Sequence, residues 1–193
     1  MNHPGLASAR ITVSVVMALA CALALIGAVH AQSAGLLAHD INGFALDMTL
    51  EQVKAAAAVP FTPLAEGQYK ATVEGIDYNF GFSAQGHLYR IDSKQLLGMF
   101  AADAGLAAAL TARLTQKFGS PLDNQLPAGP AFWRFDEPYT TLAGKQSRRE
   151  TESLLFALSG GNGQPLAAEM QLQDLRILRR DELKSGSPGT QKP

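Results

Sequence analysis

From Gln68 to Leu96 apolar and polar side chains alternate, and this period of two constrains the fold more than any other feature of the chain. Successive strand residues point to opposite faces, so Tyr69, Ala71 and Val73, then Ile76, Tyr78, Phe80 and Phe82 after Gly75, predict two antiparallel strands with one buried face each. Ala84-Gln85-Gly86-His87 reads as a hairpin turn in which Gly86 takes the positive φ such turns need, and Leu88 to Gln95 returns as a third strand. The three form a meander.

Two helical patterns bracket that meander. Thr49 followed by Gln52 has the spacing of a capping box, in which hydroxyl and carboxamide satisfy backbone donors at a helix start, and Leu50, Val53 and Ala57 then share one face. Pro60 disfavours helix in its predecessor, so this helix ends by Val59. Leu106, Leu110, Leu114 and Phe118 recur every four residues and predict a second helix. Asp103 caps its start, Arg113 and Lys117 suit its negative end, Gly119 offers a left-handed cap and Pro121 stops it.

Beyond a Pro-rich loop the period of two resumes. Ala131 to Phe135 reads as a strand with Trp133 on the same side as its two ends, and Leu154, Phe156 and Leu158 alternate in another. Gly160, Gly161 and Gly163 around Asn162 predict a hairpin, after which Met170 and Leu172 run in a strand or helix whose alternation slips near Asp174 and Leu175. The elements together predict an α+β domain: an antiparallel sheet with two helices packed on one face, built from two helix-then-strands halves. Its bounds are residues 41–184, after a linker at 32–40 and before a disordered tail at 185–193.

The first 31 residues concern destination. Arg10 is the one firmly charged residue before Asp40, Ile11 to Val29 is an apolar and small run of 19 residues, and Val29-His30-Ala31 places small side chains where a signal peptidase reads. A signal peptide cleaved between Ala31 and Gln32 is the leading expectation, which puts the mature protein in the periplasm or outside the cell. A run of this length also suits an uncleaved membrane anchor. Acylation at Cys21 is a third reading, although Ala18-Leu19-Ala20 puts its large residue one place too late. Contact with membrane is expected only if the segment is retained or Cys21 is acylated.

Composition narrows the chemistry. Cleavage leaves 162 residues, enough for one core, and removes one of the 16 basic residues and none of the 17 acidic ones, leaving 15 against 17 and a net charge near −2. Nucleic acid is therefore not an expected partner, because phosphate binding needs concentrated positive charge. Arg176, Arg179 and Arg180 do cluster, but Asp174, Asp181 and Glu182 interleave with them and predict a solvated mixed-charge face. The sole cysteine, Cys21, lies in the signal, so no disulfide or thiolate site is expected in the mature chain.

Around Leu46-Asp47-Met48-Thr49-Leu50-Glu51-Gln52-Val53 the chain resembles a motif of small exported bacterial proteins, written G-M-T-x-x-Q-V, with Asp47 standing where the motif has Gly. The family includes the small lipoprotein subunit of the outer-membrane β-barrel assembly machinery and the β-lactamase-inhibitor-like folds. Lys117-Phe118-Gly119-Ser120-Pro121 is similar to the helix ending seen there. The resemblance implies an α+β scaffold that binds proteins or envelope components rather than catalysing reactions.

Motifs that carry chemistry are sparse. Gly81-Phe82-Ser83-Ala84-Gln85-Gly86 is one residue too long for a nucleophile elbow and leads into a hairpin rather than a helix, which leaves Ser83 with His87 as a weak catalytic pair. Gly160-Gly161-Asn162-Gly163 lacks the Lys and Ser or Thr of a phosphate loop. No metal-ligand spacing and no cofactor motif is present, so neither is expected. Trp133, Tyr139, Arg148 and Arg149 are the candidate recognition residues, because aromatics and arginine carry much interface energy, although the alternation around Trp133 suits a core position better. The expected function is a non-enzymatic binding module of the cell envelope, contacting an envelope protein, peptide or cell-wall component through its sheet face or by strand addition at an edge. The alternatives are a hydrolase using scattered carboxylates or Ser83 with His87, and a membrane-anchored accessory factor.

Overall fold

A computed structural model describes residues 39–99, 102–140, 143–161 and 163–184. The signal segment with Cys21 and the Ala31/Gln32 junction, residues 32–38 of the linker, and the tail at 185–193 lie outside the described residues.

The architecture corrects the expected α+β class. Among the described residues the fold is mostly β, with 49% strand and 24% helix, and the strands form one eight-stranded antiparallel sheet and one two-stranded sheet. In chain order the elements are β1 (Asp40–Ile41), β2 (Phe44–Ala45), α1 (Leu50–Ala57), β3 (Thr62–Ala65), β4 (Gln68–Val73), β5 (Ile76–Phe82), β6 (Leu88–Gly98), α2 (Ala104–Phe118), β7 (Asp123–Asn124), β8 (Ala131–Thr140), β9 (Gln146–Gly161), β10 (Gln164–Gln173) and α3 (Leu175–Lys184). Among the described residues a third helix, α3, follows the last strand, where two helices were expected. β9 reaches beyond the alternation of Leu154, Phe156 and Leu158, because its opening Gln146-Ser147-Arg148-Arg149-Glu150 is a polar stretch held extended by pairing with β8 and not by any apolar face.

The large sheet has the order β3-β4-β5-β6-β10-β9-β8-β7, two four-stranded meanders joined where β6 meets β10. Register fixes which side chains share a face. Tyr69, Phe80, Ile91, Leu172, Leu154 and Trp133 lie directly opposite one another across six neighbouring strands, and the last five are at most 2% exposed. Phe44 of the β1–β2 hairpin meets Tyr78 and Phe80 edge-on, with ring centroids 5.1 and 5.0 Å apart, and Phe61 stacks on Phe80 at 5.4 Å. At the other end of the row the Trp133 indole N–H donates to the Gly119 carbonyl beyond α2 at 2.8 Å. This face is the core.

The caps follow the sequence closely. Thr49 and Gln52 form both halves of the capping box, and α1 closes at Ala58 in the left-handed region. Asp103 accepts from the Leu106 N–H at the start of α2, whose buried face is Ala107, Leu110, Leu114 and Phe118. Gly119 has φ +80 but ψ −174, so it ends the helix in an extended mirror-image conformation rather than the left-handed cap expected.

Asp40, the last residue of the expected linker, pairs with Ala45 in β1. His39 before it stacks on Phe135 at 3.7 Å between centroids and brings Nδ1 within 2.6 Å of the Glu152 carboxylate, tying the entry of the chain to the β8–β9 hairpin.

Candidate functional site

The same registers that build the core build its opposite. Lys70, Asn79, Asp92, Gln171, Leu155 and Phe132 form the matching row on the other face of the sheet, and Thr72, Asp77, Lys94, Glu169 and Ala157 form the next. A depression of about 460 Å³ opens there over β4, β5, β6, β10 and β9. Its polar side chains brace one another within and between strands. Arg90 Nε sits 3.0 and 2.9 Å from the two oxygens of Asp92, and Gln171 Nε2 donates to Asp92 at 2.8 Å. Lys94 lies 2.8 Å from Glu169, which also accepts from Ser159 at 2.7 Å; these two donors, Lys94 first, lower the Glu169 pKa. Asp77 is lowered chiefly by the Thr72 hydroxyl at 2.6 Å, with Lys70 assisting from 3.5 Å. On the β9 side the rim turns apolar at Leu155, which is 37% exposed, next to Ala157 and Phe132.

The sheet edges are less inviting than the sequence suggested. Pro63 lies in edge strand β3, and Pro138 lies in β8 beyond the two residues that β7 covers. Proline cannot donate to an added strand, and its presence on an edge blunts such pairing.

Ser83 and His87 come together, but not as a catalytic pair. The Ser83 hydroxyl donates to Asp181 Oδ2 at 2.5 Å and accepts from the His87 backbone N–H at 3.2 Å, whereas the His87 ring turns away, with Nδ1 3.0 Å from Asp47 Oδ1. The group on the Ser83 hydroxyl is thus a carboxylate and not the imidazole; its lowered pKa makes it a weak base, and Ser83 and Asp181 are 5% and 1% exposed. Burial pushes the Asp181 pKa up, yet hydrogen bonds from Arg180 and Ser83 and the charges of Arg180 and His87 outweigh it and leave it lowered. Arg180 continues the chain, with Nε 2.8 Å from Asp181 Oδ1 and two nitrogens 3.0 and 2.7 Å from the Asp47 oxygens. That grip, more than any other contact, lowers Asp47, and both carboxylates raise Arg180. The five residues form a latch between α3, the β5–β6 turn and the approach to α1.

The solvated face expected of Arg176, Arg179 and Arg180 with Asp174, Asp181 and Glu182 holds only in part: Arg179 and Glu182 are exposed, but Asp174 and Asp181 are 4% and 1% exposed, and Arg176 closes on Asp174 at 2.6 Å. Asp181 stands four residues after buried Ile177, so helical periodicity was the signal that could have found it. Asp47 has φ +68, the conformation glycine adopts freely, at the place where the resembling motif carries Gly.

The candidate recognition residues divide. Trp133 is 1% exposed and engaged with Gly119, so it belongs to the core and not to a contact surface. Tyr139, Arg148 and Arg149 all lie on the β8–β9 hairpin, at register positions opposite Ser147, Pro138 and Glu137. Arg148 is exposed and donates to the Asp136 carbonyl at 3.1 Å. Along the strand pair Trp133 stands opposite Leu154, and Tyr139 six residues further on stands opposite Ser147. Among the described residues no group of three His, Cys, Asp or Glu side chains could hold a metal ion, and no helix is long and apolar enough to cross a membrane. No protein-family model matches the chain, and neither a curated protein nor a solved structure shows significant similarity to it.

Proposed function

We propose that the protein is an exported, non-enzymatic binding module of the bacterial cell envelope, and that the open face of its eight-stranded sheet is the contact surface. The observation that carries this reading is the division of labour between the two faces. One is sealed by the row from Phe80 to Trp133, while the other presents a depression with polar groups of both signs and an apolar rim at Leu155. A depression of this size falls in the range of ligand sites.

The state of Ser83 supports binding over hydrolysis, because its hydroxyl is committed to Asp181 and the His87 ring to Asp47. Export rests on residues 1–31, where Arg10, the apolar run and the small residues before Gln32 have the order of a cleavable signal.

The test joins both parts. Intact mass of the protein recovered from the cell envelope should show Gln32 as its first residue. A photoreactive side chain at position 155 should then crosslink a discrete envelope component, and one at exposed Leu64 on the sheet edge should not. Retention of residues 1–31 would replace the export reading with an anchored one, and indiscriminate or absent crosslinking at 155 would remove the binding face.

A further inference from the structure

The charges in the open depression are balanced as well as numerous. Lys70, Arg90 and Lys94 supply three positive groups and Asp77, Asp92 and Glu169 three negative ones, interleaved so that each cation neighbours an anion on an adjacent strand or on its own. Such a surface has no excess positive charge with which to hold a phosphate or a polyanion, since those ligands are gripped by cations in surplus.

The pairs differ in firmness. Lys70 with Asp77 and Lys94 with Glu169 leave 40% or more of each side chain in solvent. Exposed pairs of this kind contribute little, so each partner can exchange its companion for an opposite charge on a ligand at small cost. Asp92 is different, held by Arg90 and Gln171 and only 27% exposed, and it offers a fixed acceptor in the middle of the depression. Leu155 adds an apolar wall on the β9 side. From β4 to β9 the depression crosses four inter-strand gaps of roughly 4.8 Å each, a span that an extended peptide of about six residues fills.

We propose that this depression binds a short zwitterionic peptide, one carrying a carboxylate and an ammonium or guanidinium group a few residues apart beside an apolar side chain. The inference rests on the binding-face reading and specifies its ligand. The ammonium group seats between Asp77 and Asp92, the carboxylate exchanges with Glu169 for Lys94, and the apolar side chain meets Leu155.

Four blocked pentapeptides test it against the full-length chain: acetyl-Ala-Glu-Ala-Lys-Ala-amide and its Glu/Glu, Lys/Lys and Gln/Gln counterparts, followed by amide shifts in nuclear magnetic resonance titrations. The zwitterionic peptide should bind at least about tenfold more tightly than the other three, a 1.4 kcal/mol difference. Its shifts should fall on β5, β6 and β10. Lys94→Glu, an exposed change, should invert the order in favour of the Lys/Lys peptide. Equal or tighter binding of a singly signed peptide by the unaltered protein would overturn the proposal, as would shifts confined to other elements. If no peptide binds while a crosslinker at position 155 still captures an envelope component that Lys94→Glu releases, the ligand class is wrong and the binding face stands. If that capture fails too, both fall.

Discussion

Arg180 grips Asp47 with two guanidinium nitrogens, at 3.0 and 2.7 Å, across 133 residues of chain, and through its Nε holds the buried Asp181 as well. One side chain thereby fastens α3 to the segment before α1. The arrangement makes stability depend on two carboxylates remaining ionised.

Acid should loosen this fastening. Asp47 and Asp181 both titrate below the ordinary 3.8 in the folded protein, so the stability they add is complete above that value and is lost as pH falls through their folded pKa values. Thermal unfolding followed by circular dichroism should show Arg180→Met less stable than the unaltered protein at pH 7, with the gap closing as pH falls through the lowered pKa values of the two carboxylates. Asp77 and Glu169, also lowered, are common to both proteins and cancel in that difference. A gap that persists undiminished into acid would mean Arg180 acts through packing alone.

Removing the buried acceptor should cost more than removing its donor. Asp181→Ala leaves the Ser83 hydroxyl and the Arg180 guanidinium without their shared partner, an expected loss of about 3 kcal/mol in urea denaturation. Ser83→Ala removes one hydrogen bond and should cost about 1 kcal/mol, leaving capture by the open face unchanged. Loss of an enzymatic turnover in Ser83→Ala with no change in stability would restore a catalytic role to this serine.

How far these features were legible in the sequence follows from the range of the interactions. Alternation from Tyr69 to Phe82, the Thr49 and Gln52 capping box and the stripe ending at Phe118 report local periodicity, and the strands and helices they predicted formed. The opening of β9 escaped because Gln146 to Glu150 has no apolar side of its own, and its form depends on β8. Asp181 and Ser83 stand 98 residues apart, and no local pattern announces such a meeting. The open face was half legible: Lys70, Asp77, Asp92 and Lys94 were visible as the polar partners of the alternation, but their neighbours Glu169 and Gln171 arrive from a strand joined only by the β6–β10 seam.

Two positions carry backbone strain that substitution should relieve. Ala58 closes α1 at φ +53 and Glu74 stands at φ +51 before Gly75 in the β4–β5 turn, a left-handed conformation that glycine adopts freely and asparagine tolerates better than alanine or glutamate. Ala58→Gly and Glu74→Asn should each add about 0.5–1 kcal/mol, raising the melting temperature by roughly 3 °C.

Gly160 marks the opposite case. Its φ is +93, and a β-carbon there would collide with the Pro165 carbonyl oxygen across the β9–β10 turn. Both the neighbour and the conformation are backbone, so neither can yield cheaply. Gly160→Ala should destabilise the fold by about 3 kcal/mol or prevent its accumulation, measured by urea denaturation or by soluble yield.

The central claim is that the sheet face left open among the described residues binds, and the most direct measurement places a photoreactive residue at position 155 in living cells. The account predicts one discrete crosslinked envelope species that disappears when Lys94→Glu upsets the charge balance beside it. A crosslinking pattern at 155 that matches an edge position such as Leu64, or that survives Lys94→Glu intact, would contradict it.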